Sequence, residues 1–159
     1  MLLIYFFLGL LVGSFLNVLI DRLSRNESIL GRSYCDSCKK TLKWHDLIPI
    51  VSFVYLRGKC RHCHSSLSYQ YPFIELLTGI LFVLTFVWIN NPISNIQYQI
   101  SNTSNYLLIT IYYFFIVSSF IVIFFADLKY GIIPDKIILA GVLVTIFYLL
   151  FSGNQTSFF

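Results

Sequence analysis

Residues Tyr106–Ala126 read YLLITIYYFFIVSSFIVIFFA, an uncharged run closed by Asp127. A bilayer's hydrocarbon core, roughly 30 Å thick, takes about 20 helical residues to cross, and this run is long enough. Three further apolar stretches flank it. Met1 to Ile20 carries no charge, Pro72 to Ile89 is interrupted by Glu75, and Ile137 to Phe151 is shorter. The expected fold is an all-α polytopic membrane bundle with about four transmembrane helices.

Composition agrees. The 159 residues are 57% hydrophobic and 11% charged, with a mean hydropathy of +0.77. Soluble domains carry about 25% charged residues, so a water-facing enzyme and a disordered regulator are both excluded. The first stretch lacks a basic leader region and a small-x-small cleavage site, so it reads as a retained helix and not a signal peptide.

Charge sets the orientation. Between Asp21 and Tyr71, nine cations face four anions, Asp21, Glu27, Asp36 and Asp46. The segment 90–105 holds no Lys, Arg, Asp or Glu. The positive-inside rule then puts the 21–71 loop in the cytoplasm, the 90–105 loop outside, and the N-terminus outside. Basic residues gathered in this way report topology, so no nucleic-acid partner is expected; the lipid bilayer is. The domain layout reads as a first transmembrane helix over 1–20, a cytoplasmic loop over 21–71, transmembrane helices 2–4 over 72–151, and a tail over 152–159. Apart from the Asn/Ser/Gln-rich outer segment, no internal repeat or low-complexity linker stands out. Oligomeric state is not legible; the Gly9-x-x-x-Gly13 motif serves packing within one chain as readily as between two.

All four cysteines fall in the basic loop, as Cys35-x-x-Cys38 and Cys60-x-x-Cys63. A two-residue gap lets both thiolates of a turn face one centre, and two such turns complete a tetrahedral zinc site. Disulfides compete with this reading, but a reducing cytoplasm opposes them; a redox pair is the third alternative. Four thiolates leave no open position, so the metal is structural and staples a loop that has little core of its own. His62 and His64 beside Cys63, and His45, read as solvated imidazoles, although either neighbour of Cys63 could replace a cysteine.

Three carboxylates sit at membrane edges. Asp127 would pay a desolvation cost there, or it could face water at a helix end and pair with Lys129. Asp135 follows Pro134 and suits the first turn of the next helix. Glu75 reads as an interfacial carboxylate that could pair with a loop arginine.

These pieces fall into an ordered set. Gly13-Ser14-Phe15-Leu16-Asn17-Val18 with Asp21-Arg22-Leu23 resembles the N-terminal motif of the type IV prepilin peptidases. The resemblance continues through both Cys pairs, Trp44 to Ile50, Leu56 to Cys60, and Ser68 to Gly79. It ends with Ala126-Asp127-Leu128 and Ile133-Pro134-Asp135. It implies a bacterial inner-membrane aspartic peptidase of the GxGD type, which cuts the short basic leader from prepilins and pseudopilins at the cytoplasmic face. Many members then methylate the new N-terminus with S-adenosylmethionine, for which this sequence shows no glycine-rich fingerprint. By resemblance, Asp127 matches the first catalytic aspartate, and Cys35, Cys38, Cys60 and Cys63 match the metal-binding cysteines.

One departure stands against the agreement. The family's second catalytic aspartate lies in a downstream Gly-x-Gly-Asp, and no such motif occurs in these residues. The tail Ser152–Phe159 reads as an outer loop interrupted as the next segment begins, as in a chain cut short, a frameshifted gene or a split protein. The alternatives are therefore a catalytically inactive zinc-loop protein that binds pseudopilins or assembly partners, and an ion or solute carrier using Glu75 and Asp127.

Overall fold

The computed structural model describes residues 1–91 and 103–153. Its four long helices are α1 (Leu2–Ser24), α3 (Gln70–Ile89), α4 (Thr103–Tyr130) and α5 (Asp135–Gly153), and a short α2 (Val51–Tyr55) lies within the loop. Among the described residues no strand forms beyond two isolated bridges. Three helices among the described residues are long and apolar enough to cross a membrane, namely α1, α3 and the Tyr106–Tyr130 part of α4. The fourth expected segment is helical as well, as the 19-residue α5. Most of the expected outer loop and the end of the tail (residues 92–102 and 154–159) lie outside the described residues.

Local chemistry sets the helix ends. Pro72 sits in the first turn of α3, where its missing N–H costs nothing, and the Ser68 hydroxyl accepts the Gln70 N–H. α1 runs one turn past the expected Ile20, so Asp21 and Arg22 are helical. α4 likewise runs past Ala126 and stops at Gly131, whose φ is 62°. Gly131 N–H bonds back to the Asp127 carbonyl at 2.8 Å, a left-handed glycine cap. Asp127 therefore lies in the last turn of α4 and not beyond it. Asp135 opens α5 directly after Pro134, as its charge favours.

α1 and α3 pack most closely. A Cβ added to Gly9 would sit 2.7 Å from the Gly79 Cα, and one on Gly13 would sit 2.7 Å from the Glu75 Cα. The Gly9-x-x-x-Gly13 stripe thus packs against a helix of the same chain. α4 closes the third side. Phe82 stacks on Phe114 with centroids 4.1 Å apart, and Leu16, Ile20, Ile74, Ile121, Val122 and Ala126 form the shared core at the loop end. α5 joins α4 through the Tyr112–Tyr148 stack at 4.3 Å. Outer faces stay apolar, as Leu3, Phe7, Leu11 and Phe15 on α1 illustrate, which suits a lipid surround.

Gly13→Leu should force α1 and α3 apart, because the obstacle is backbone. Overpacking of this kind costs about 1–3 kcal/mol. A thermal melt in detergent should show a lower midpoint; an unchanged midpoint would contradict the close approach.

Candidate metal centre and loop-side cavity

The loop is built from two copies of one turn. In the first, Cys35 N–H bonds to the Lys40 carbonyl, Lys39 N–H to that of Cys35, and Leu42 N–H to that of Ser33. In the second, Cys60 N–H bonds to Ser65, His64 N–H to Cys60, and Leu67 N–H to Gly58. Each is closed by one bridge, Tyr34 to Thr41 and Lys59 to Ser66. Lys39 and His64 occupy the same left-handed position, both at φ 56°. Every element recurs 25 residues on, as from Cys35 to Cys60. An internal repeat is therefore present where none was expected.

The two turns bring Cys35, Cys38, Cys60 and Cys63 together, with all four sulfurs within 4.8 Å of one another. The Cys35 and Cys63 Sγ atoms are 3.8 Å apart. A zinc ion with bonds of about 2.3 Å needs sulfurs about 3.8 Å apart in a tetrahedron, so the donor set fits zinc. The four are free thiols. Burial opposes ionisation of Cys35, but the Cys38 and Ser37 N–H groups outweigh it and hold that thiol down at about 6. The Lys40 N–H favours the Cys38 thiolate, yet desolvation and the sulfurs of Cys63, Cys35 and Cys60 push it up to about 11. Four crowded sulfurs cannot all ionise unaided, and a dication removes that conflict. His62 and His64 are exposed, and their imidazoles are not in the cluster.

Ionic ties hold the turns to the helices. Arg25 and Asp36 pair through both guanidinium nitrogens at 2.9 and 3.3 Å, and this contact holds the Asp36 carboxyl below its ordinary range. Asp46, with its side chain 1% exposed, pairs with Arg61 at 2.7 Å and accepts the Lys43 N–H at 3.2 Å. Burial works against its ionisation, but Lys43 and Arg61 prevail and keep its carboxyl low. His45 Nε2 lies 3.6 Å from the same carboxylate, half-buried and not fully solvated. Arg22 is buried and donates to the carbonyls of Ser28, Ile29, Gly31 and Arg32, folding the linker onto α1.

Asp21 joins three helices. It accepts the Tyr71 hydroxyl from α3 at 3.0 Å, Lys129 Nζ from α4 at 2.6 Å, and the Tyr130 hydroxyl at 2.8 Å. Lys129 thus pairs with Asp21 and not with Asp127, correcting the helix-end pairing considered from sequence. Asp127 is exposed, and its carboxylate has no side-chain partner among the described residues. Asp21→Asn removes the charge from this junction while keeping its size. Hydrogen bonds to charged groups contribute about 1.5–3 kcal/mol. Amide exchange over Ile121–Tyr130 should quicken; unchanged protection there would refute the junction's role.

A cavity of about 410 Å³ lies between the loop and the adjoining ends of α1 and α3. Its wall includes Ser14, Asn17, Asp21, Asp46, Arg61 and Glu75. Glu75 is 7% exposed, and its Oε2 accepts the Ile50 N–H at 2.7 Å. No loop arginine pairs with it among the described residues, contrary to that expectation. Ile50 has φ 60°, a conformation uncommon for a β-branched residue, and in it the Ile50 N–H meets Glu75.

Fold and site together define a polytopic helical membrane protein whose polar loop gathers four cysteines into a cluster that could hold a metal ion. Residues 7–89, just over half the chain, match the family described as Bacterial Peptidase A24 N-terminal domain. The chain belongs to that family, and it corresponds to the N-terminal part of a type IV prepilin peptidase. It is 50% identical over 78 residues to the prepilin leader peptidase/N-methyltransferase of Myxococcus xanthus (strain DK1622), covering 48% of this chain and 23% of that protein. It is 43% identical over 83 residues to the protein of the same description from Bacillus subtilis (strain 168), covering 52% and 34%. It is 37% identical over 100 residues to the type 4 prepilin-like proteins leader peptide-processing enzyme of Escherichia coli O78:H11 (strain H10407 / ETEC), covering 50% and 37%. The matches thus span about a quarter to two-fifths of these relatives. No solved structure matches.

Proposed function

We propose that this chain supplies the zinc-clasped N-terminal part of an aspartic peptidase that removes the basic leader from prepilins or pseudopilins. One observation carries the reading: Asp127, with no side-chain partner among the described residues, stands two residues before Lys129, whose bond to Asp21 fixes the end of α4 beside the loop. The family match and the relatives' descriptions support it. In the proposed arrangement the N-terminus lies outside a bacterial inner membrane, helix 1 is followed by the cytoplasmic 21–71 loop, and the helices of 72–151 begin the peptidase domain. The four cysteines hold zinc as a structural ion.

Amide hydrolysis by carboxylates needs two of them close together. One, ionised, takes a proton from water; the other, protonated, donates to the carbonyl, and the pair titrates as a unit. Asp127 is assigned as one member. The other is assigned to a Gly-x-Gly-Asp that these 159 residues do not contain. N-methylation of the new terminus by S-adenosylmethionine enters from the relatives' descriptions, and no residue here is assigned to that donor.

The test is leader removal from a pseudopilin in reconstituted membranes, read as a mobility shift. The chain joined to a downstream segment bearing Gly-x-Gly-Asp should cleave. Failure of every such pairing would favour an inactive pseudopilin-binding remnant instead.

A further inference from the structure

We propose that the cavity beneath the cysteine turns receives a primary ammonium group, with Glu75 as its counter-charge. The other acids of the wall are already matched within the chain. Asp21 has Lys129, Asp36 has Arg25 and Asp46 has Arg61, while Glu27 accepts the Tyr34 hydroxyl. Glu75 pairs with no cation among the described residues; its carboxylate accepts the Ile50 N–H at 2.7 Å and is met by the Ser14 hydroxyl. A carboxylate this deeply buried is costly to leave without a cation.

A second group points the same way. Asn17, 5% exposed, spends both amide hydrogens on the carbonyls of Gly13 and Tyr71. Its Oδ1 is buried and receives no donor. Asn17 and Ser14 lie one turn apart on α1, where Gly13 meets the Glu75 Cα, and Ser14, Asn17 and Glu75 all line the cavity. An ammonium carries three donors and no acceptor. The Glu75 carboxylate, the Asn17 carbonyl and the Ser14 hydroxyl oxygen are three acceptors. A guanidinium asks for a planar bidentate partner, and a hard divalent ion asks for six or so oxygens; this wall suits neither as well. The volume, about 410 Å³, lies within the usual range for small ligands.

Naming the bearer of the ammonium rests on the prepilin reading above. That reading offers two sources: a lysine of the basic leader, or the α-amine freed when the leader is removed.

The experiment uses the full zinc-loaded chain in lipid nanodiscs. Dicyclohexylcarbodiimide should label Glu75, as read by peptide mass spectrometry, and butylammonium should slow the labelling while neutral butanol does not. Labelling equally fast with and without butylammonium would overturn the site. Two pilin-type peptides follow, one with a lysine leader and one leaderless with a free α-amine, each beside its acetylated form. Protection by the first alone assigns the lysine, and by the second alone the α-amine. Protection by butylammonium but by neither peptide keeps the site and removes prepilin as its ligand. Glu75→Gln retains an acceptor for Ile50 and provides the second measurement. Affinity for the protecting ammonium, by fluorescence anisotropy or competition, should fall about 30-fold or more, with zinc content unchanged. Equal affinity in both proteins would overturn the proposal even where Glu75 resists labelling.

Discussion

Cys60→Ser should strip the loop of its zinc and leave segment 21–71 open to proteolysis while the helices stay inserted. Cys60 is 2% exposed, so a serine there exchanges a soft buried sulfur ligand for a hard hydroxyl in a site shaped for sulfur. Structural zinc contributes about 10–16 kcal/mol of binding free energy in small metal domains, comparable to the whole stability of a typical fold. Acidification should release the metal for a related reason, since protons compete for the thiolates. Metal analysis under reducing conditions should give one zinc per wild-type chain and far less in the variant. A zinc-free wild type, or a variant with its full complement, would end the assignment.

Asp127→Asn should abolish leader cleavage in the completed protein. The amide keeps the size of the side chain but can neither take up nor release a proton at the reacting carbonyl. Losing a positioned acid or base costs about 10²–10⁴-fold in rate. Because Asp127 has no side-chain partner among the described residues, its loss should leave thermal stability close to wild type. Asp135→Asn should impair cleavage less, since that residue opens α5. The bare 159-residue chain should not cleave appreciably. Cleavage by the bare chain, or by the completed Asp127→Asn protein, would show the chemistry assigned to the wrong residue.

The helices and the cysteines were legible because each depends on one simple signal: uncharged length for the spans, and a two-residue gap for the turns. Pairings were not. Nine cations in the loop, and Lys129 beyond it, could meet any of the loop's anions, and only the folded backbone sends Lys129 to Asp21 and Arg61 to Asp46. Glu75 was visible as an oddity, but its bond to the Ile50 N–H requires a positive φ that no spacing rule announces. The repeat escaped notice because it is written in backbone conformation. Lys39 and His64 share a φ value and little chemistry, and apart from the cysteines only Thr41 with Ser66 and Leu42 with Leu67 are alike across the two turns.

That repeat bears on how fast metal could come and go. Within each turn the first cysteine is buried and the second is more open: Cys35 and Cys60 inside, Cys38 intermediate, Cys63 at the surface. With zinc bound, an incoming chelator would meet Cys63 first and Cys38 next, while the two inner sulfurs would keep hold of the ion. Departure would then run through a half-released intermediate still gripped by one sulfur from each turn. Rebinding of the loosened arms is intramolecular, at a high effective concentration, so the clasp would be slow to lose its ion even where a competitor binds zinc more tightly.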